Sequence, residues 1–339
     1  MINMLQIIII ILGVSFILYT LLGGADFGAG IVETFAGKQG EKTISKAIAP
    51  VWEANHVWLI LAIVIIFTGF PQVYAAIGLS LHIPLMVVLI GIVLRGSSFA
   101  FRHYDALHGT THKYYTAFFE VSSFITPIFL GITLGAMMLG EISLDNSGNF
   151  YEQFIMPWLN VFCLIMGLFS AFLFGYIAAI FLVGEATSSI EQKRYIRLSK
   201  IFLLLTFAMG VLIFVAAEIE NHHLLNQFFK SGLSVTAFSS VILLIPVIFY
   251  LFNHPNIFYL RAAISVQVIL IMLGWFAIQF PVLVYEKHGK HLTFYNTQAP
   301  YATLYQLLIS LLVGLLLIIP SFYFLFKVFK RSNGQHLNQ

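Results

Sequence analysis

The chain has 339 residues, of which 60% are apolar and 9% charged, with a mean hydropathy of +0.93; in soluble globular chains about a quarter of the residues are charged. This composition excludes an ordinary soluble domain and points to a polytopic membrane protein. The formal net charge of +3, from 17 basic and 14 acidic residues, is too small to argue for nucleic acid as a partner. A single cysteine, Cys163, excludes an internal disulfide and cysteine-clustered zinc or iron–sulfur sites. No glycine-rich phosphate loop is present, which argues against nucleotide-driven transport by this chain alone.

The first apolar run, Ile7 to Leu22, lacks a basic flank and a small-residue cleavage site, so it is expected to remain as a first membrane span. Further runs follow at 51–70, 76–94, 117–139, 157–183, 201–217, 235–253, 262–284 and 303–326, giving nine helices. If the spans alternate, 14 of the 17 basic residues fall on one side, from Lys38 through Arg95, Lys193 and Arg261 to Arg331. The other side has only Lys230, Lys287 and Lys290. The positive-inside rule then puts the amino terminus outside and the carboxyl terminus in the cytoplasm. No long linker, low-complexity stretch or fixed-period repeat interrupts the pattern, so residues 1–339 are expected to form one polytopic membrane domain. The segment from Tyr285 to Tyr301 reads either as a structured loop on the outer face or as a simple connector. Interfacial aromatics such as Tyr74, Trp158, Tyr301 and Tyr305 fit an aromatic belt.

Function is expected where ionisable groups interrupt apolar segments, because each costs about 2.5–3.5 kcal/mol at a helix centre on insertion scales. Asp26 lies in the glycine-rich stretch Gly23 to Gly30, roughly 33 Å along a helix that starts near Met4, and reads as either a functional or a boundary aspartate. The run Ala49-Pro-Val-Trp-Glu-Ala-Asn-His-Val-Trp58 opens the second span. On one helix Glu53 and His56 would share a face, giving a carboxyl–imidazole pair suited to passing protons, with Trp52 and Trp58 walling it off. The alternative is an interfacial anchor, an acid at a helix N-terminus beside belt tryptophans. Arg95 and Arg102 bracket the inner end of the third span and could fix anionic lipid or another subunit, or simply obey the positive-inside rule. Glu120 could extend an acidic line with Asp26 and Glu53, or cap the fourth span. His82 could ligate a haem iron but reads better as packing. Asp105, His108 and His112 lack the spacing of a zinc-protease helix, and His222 and His223 read as solvated. No metal site is expected.

Taken in order, these residues resemble subunit II of the cytochrome bd-type quinol oxidases, including the cyanide-insensitive variants. The resemblance rests on Gly24-Ala-Asp-Phe-Gly28, on Ala49 to Trp58, on Phe70-Pro-Gln-Val-Tyr-Ala-Ala76, on the Arg-Gly-x-x-Phe-x-Phe-Arg motif at Arg95–Arg102, and on Leu292 to Leu304. In the second element Glu53 stands for an aspartate, Ala54 for a glycine and His56 for Glu or Gln. The resemblance implies an all-α subunit of nine transmembrane helices, two four-helix bundles plus one peripheral helix, in a bacterial plasma (inner) membrane. It implies a noncatalytic partner of subunit I, which would carry two b-type haems and one haem d and most of the quinol site. The complex would oxidise quinol on the outer side and reduce dioxygen to water in an aerobic respiratory chain, with protons taken from the cytoplasm. Glu53, and with it Asp26 and His56, would lie on the proton-uptake route, while Trp52, Asn55, Trp58, Arg95 and Arg102 would serve helix or subunit packing. A structural quinone or lipid in this subunit, and small accessory subunits, are left open. The competing class is a secondary transporter or channel, suggested by the nine spans and the glycine-interrupted first helix, although no inverted repeat is visible. An independent membrane cytochrome would need axial ligands beyond His82.

Overall fold

Long apolar segments in lipid must satisfy their own backbone polar groups, and here they do so as helices. The computed structural model describes residues 3–49, 52–104, 111–144, 148–220 and 222–335. Helix α1 (Met4–Leu18) starts at Asn3, whose side chain accepts from Leu5 N–H while Gln6 accepts from Asn3 N–H. A π-helical turn at Tyr19–Gly23 leads into α2 (Gly24–Ile48), which bends at Gly37, where φ is 69°. The resulting apolar helix, Met4–Gly37, has 34 residues and is much longer than the expected first span. Helices α3 (Trp52–Asn55), α4 (Val57–Gly69), α5 (Pro71–Ser80) and α6 (His82–Tyr104) follow.

The expected second span, 51–70, ends at Phe70 as expected, but its long helix, α4, starts only at Val57. Helix α4 has 13 residues, about 20 Å, too short to cross hydrocarbon alone. Phe70 leaves the helical region, Pro71 starts α5, and the chain turns by 112° between them. Then come α7 (Thr111–Leu139), the short α8 (Phe150–Phe154), α9 (Val161–Val183), α10 (Ser189–Ile219), α11 (Leu224–Lys230), α12 (Gly232–Asn253) and α13 (Ile257–Gln279). Strands β1 (Val282–Val284) and β2 (Leu292–Thr293) and the long α14 (Tyr301–Gln335) complete the chain. Among the described residues eight helices are long and apolar enough to cross a membrane, and a ninth crossing results if the bent α4–α5 pair is one span.

Side-chain contacts fix the relative directions of these helices. Asp26 meets Arg95 and Glu33 meets Arg102, so α2 and α6 run parallel. Gly30 faces Ser123 and Glu41 meets His112, so α7 is antiparallel to α2. Gly24 faces Phe174 and Gly28 faces Ala178, making α9 parallel to α2. Helix α13 is antiparallel to α9, through Tyr176 with Gln267 and Gly184 with Arg261. Because α2 and α6 are parallel, the intervening α4–α5 pair must return the chain across the molecule, as a ninth crossing would.

Two apolar cores result. One gathers Phe27, Phe119, Phe174 and Ile177 between α2, α7, α9 and their neighbours; the other lies at the opposite end, around Phe70, Leu139, Val284 and Phe294. The second is closed by the segment after α13, which is a structured loop and not a bare connector. Its strands pair antiparallel, Tyr285 N–H donates to the Met137 carbonyl (3.0 Å) and Lys287 N–H to that of Ile142 (2.9 Å). Ala299 N–H donates to the carbonyl of Gly69 (2.8 Å), and the Phe294 ring packs edge-on against Phe70 at 5.3 Å. The loop thus grips the break between α4 and α5.

A buried acid–arginine ladder as the candidate functional site

The site grows from one face of α2. Residues 26, 30 and 33 are spaced four and three apart and so line up along that face. Its glycines let neighbouring helices come close: a Cβ on Gly28 would fall 1.8 Å from the Phe174 carbonyl oxygen, and one on Gly30 2.1 Å from Ser123 Oγ. Side chains of α6 and α7 are thereby drawn against the carboxylates. This is the close approach that the glycines around Asp26 lead one to expect.

Asp26 is buried, and its Oδ2 accepts from Asn55 Nδ2 at 2.9 Å. The same Asn55 amide reaches the Leu22 carbonyl at 3.4 Å, tying α3 to the first helix. Arg95 is 2% exposed; it donates to the Asp26 main-chain carbonyl at 2.7 Å and interacts electrostatically with the Asp26 carboxylate. Two turns further along both helices, Arg102 grips Glu33 with both terminal nitrogens, through Oε1 and through Oε2 at 3.4 Å. Both side chains are buried. The Phe119 ring lies between the two guanidinium groups, 5.2 Å from that of Arg95 and 4.5 Å from that of Arg102. The Phe27 ring makes a second cation–π contact with Arg95 at 4.8 Å. Beyond Glu33, toward the basic end of the molecule, stand Glu41 with His112 (2.8 Å) and the half-buried Glu120.

Several buried polar atoms around this ladder have no protein hydrogen-bond partner: Tyr19 Oη, Asn55 Oδ1, Arg95 Nε and Ser123 Oγ. Such atoms are rare in folded proteins and mark places where a mobile polar partner fits.

The sequence-predicted residues divide clearly. Asp26, Asn55, Arg95 and Arg102 converge on the ladder. His56 is the turn residue between α3 and α4, and its ring packs against Tyr19 (6.3 Å) and Phe27 (5.8 Å) at the edge of the cluster. Trp58 is buried but turns toward α14, against Phe322 at 5.7 Å. The backbone of Glu53 lies in α3, two residues from Asn55, while the side chains of Glu53 and Trp52 lie outside the described residues, as do Asp105 and His108. Arg95 and Arg102 face neither lipid nor solvent, because α6 continues past residue 94 to Tyr104 and carries both inward. Glu120 cannot cap its helix, since α7 begins at Thr111. His222 is half-buried against Phe162 (6.3 Å) and not simply solvated. Glu33 went unremarked in the sequence; its signal was a carboxylate two turns from Asp26, matched by arginines with the same spacing.

No group of three or more His, Cys, Asp or Glu side chains able to hold a metal ion occurs among the described residues. His82 is exposed at the start of α6 and its Nδ1 donates to the Leu79 carbonyl at 2.8 Å. What the ladder offers chemically is a line of carboxylates, an amide and hydroxyls inside apolar helices, which suits holding and passing protons.

Comparison with known proteins agrees with the motifs. The sequence profile of the family described as Cytochrome bd terminal oxidase subunit II matches residues 4–329. Cytochrome bd ubiquinol oxidase subunit 2 of Bacillus subtilis is 30% identical over 47% of this chain and 46% of its own length. Cytochrome bd-I ubiquinol oxidase subunit 2 of Escherichia coli K12 is 28% identical over 48% and 43%. The chain thus spans less than half the length of these curated relatives. A putative cytochrome bd menaquinol oxidase subunit II of B. subtilis is 24% identical over 95% of this chain and 94% of its own. The solved structure of bd oxidase from Geobacillus thermodenitrificans shares the fold, with a TM-score of 0.79 and 22% identity over 97% of this chain and 99% of that one. Motifs, helical architecture and profile coincide over nearly the whole length, and the chain belongs to the cytochrome bd terminal oxidase subunit II family.

Proposed function

We propose that this chain is the noncatalytic subunit II of a terminal quinol oxidase in a bacterial plasma membrane. It pairs with a haem-bearing subunit I, supports oxidation of quinol on the outer side and reduction of dioxygen to water, and helps deliver protons from the cytoplasm. Residues 1–339 act as one membrane domain of nine crossings, two four-helix bundles plus a peripheral helix, with the amino terminus outside. The excess of basic residues at one end of the helices supports that orientation. Exposed apolar residues along α14, among them Leu316, Leu317 and Phe324, suit a peripheral helix.

The observation that carries the proton-delivery reading is the buried ladder itself. Four ionised or ionisable groups within apolar helices are costly, and in membranes such groups mark ion or proton routes. Protons enter at the basic end near Glu41, His112 and Glu120, are held at the Glu33 carboxylate beside Arg102, and move on to the Asp26 carboxylate beside Asn55 and Arg95. Glu53 and His56, next to Asn55 in sequence, hand them to the boundary with subunit I. The names of the relatives, one a ubiquinol and one a menaquinol oxidase subunit, fit either quinone as the reductant.

Purification of the tagged chain from its native membrane, with a reduced-minus-oxidised spectrum and mass spectrometry of copurifying proteins, tests the assignment. A larger subunit with b and d absorption bands is expected. A colourless chain purified alone would contradict it. In the intact complex Glu53→Gln is expected to slow oxygen reduction coupled to proton uptake without dissociating the subunits, and unchanged turnover would count against the role of Glu53.

A further inference from the structure

We infer that Ser123 of α7 is the relay hydroxyl that carries protons between Glu33 and Asp26. This inference rests on the proton-uptake reading of the ladder and adds to it a residue that neither the motifs nor the ion pairs single out.

The two carboxylates are seven residues apart on α2, about 10.5 Å along the axis, far beyond a hydrogen bond of about 3 Å. The arginines cannot bridge the gap, because a guanidinium stays charged and accepts no proton. Nor can the arginine side of the ladder conduct, since the Phe119 ring fills the space between Arg95 and Arg102. Whatever joins Glu33 to Asp26 must therefore lie along the face of α2 between them. Ala29 and Gly30 lie on that face between them, and against Gly30 stands the hydroxyl of Ser123, whose Oγ would be 2.1 Å from a Cβ there, with the edge of the Phe119 ring 3.1 Å away.

Ser123 differs from its neighbours in what its hydroxyl does. Ser122 and Thr126 turn theirs back onto α7, donating to the carbonyls of Phe118 (2.6 Å) and Ser122 (2.8 Å), the usual resting place of a hydroxyl inside a helix. Ser123 is fully buried, makes no such bond, and has no protein partner at all. A buried unpaired hydroxyl costs about 1–3 kcal/mol, so its persistence calls for a transient partner. A serine hydroxyl donates one hydrogen bond and accepts two, which is what a relay needs.

The step balances without any further reactant than water. A proton leaves the Glu33 carboxyl for Ser123 Oγ through a bridging water, as the proton already on Oγ passes through a second water to the Asp26 carboxylate. Ser123 ends neutral, Glu33 ends ionised and Asp26 protonated. Rotation about the Cβ–Oγ bond resets the hydroxyl. Gly30 is small so that this hydroxyl can reach the line between the acids.

The test uses the whole oxidase complex carrying Ser123→Ala or Ser123→Cys. Both keep the close contact with Gly30 sterically possible, and neither removes a protein hydrogen bond. Proton uptake during a single turnover is followed with a pH dye, in H2O and D2O, beside the rate of haem reduction by quinol. Both variants are expected to slow proton uptake by on the order of tenfold or more and to change its solvent isotope effect, with haem reduction unaltered. Uptake at the wild-type rate in Ser123→Ala, or full recovery in Ser123→Cys, would show a packing role and overturn the relay. Asp26→Asn run alongside separates the two levels. Slow uptake in Asp26→Asn with normal uptake in Ser123→Ala removes only the relay, whereas normal uptake in both removes the proton-uptake reading as well.

Discussion

Arg102 and Glu33 illustrate how a charge survives inside this protein. Each is desolvated, and the pair persists because two hydrogen bonds and the faces of Phe119 and Phe99 replace water around the guanidinium. Removing one partner leaves an uncompensated buried charge, which typically costs about 3–5 kcal/mol, while replacing both by apolar groups of similar size is often close to neutral. Arg102→Leu is therefore expected to lower the thermal stability of the detergent-solubilised complex strongly, and Arg102→Leu with Glu33→Leu to recover much of the loss. Equal destabilisation by the single and double variants would mean that the two residues do not act as a pair. At this scale the sequence was legible for residues inside recognisable motifs, such as Asp26, Asn55, Arg95 and Arg102. It was silent on Glu33 and Ser123, whose importance comes from which helix packs against which. A hydroxyl facing Gly30 cannot be told from one facing its own backbone until α7 is seen to lie on α2.

Among the elements, helix identity was legible, and so were the ends at Leu139, Val183 and Asn253, but other ends were not. Hydropathy located every long span, yet α6 extends beyond its apolar run because a buried ion pair and aromatic packing, invisible to hydropathy, shelter Arg95 and Arg102. The end of the second span at residue 70 was legible, but the helix after the bend was not: the run expected from 76 crosses the junction at Leu81 where α5 gives way to α6, because apolar residues continue through it. The loop of β1 and β2 braces the bend at Phe70, and His222 sits close by in the same end of the molecule, beside Phe162. Burial holds the His222 imidazole below its ordinary value of 6.5, against the opposing pull of Glu220 and Glu141. The folded state thus binds a proton less readily than the unfolded chain. Stability from this group is full above about pH 6.5 and declines as pH falls through the unfolded value toward the lower folded one. Thermal unfolding of the complex is expected to drop more steeply below that pH than in a His222→Gln variant. Superimposable pH profiles would show that His222 contributes nothing.

Across the whole molecule, the parallel pairing of α2 with α6 and α9 builds the ladder. Parallel helices bring residues of equal depth together, so Asp26 finds Arg95 and Glu33 finds Arg102 at matching levels, and the acids form a ladder along the bundle and not a single site. Under the proposed orientation, the basic end of the ladder is the cytoplasmic one. A transporter would need a substrate cavity between the helices; here the ladder is packed by Phe27, Phe119 and the Phe174 backbone. The role proposed for Asp26 is to carry protons into the oxidase. It is tested by the proton uptake of the intact Asp26→Asn complex, with its haems retained, during a single reaction with dioxygen. Uptake is expected to slow on the order of tenfold or more while electron entry from quinol is unchanged. Uptake at the wild-type rate in that complex would contradict it.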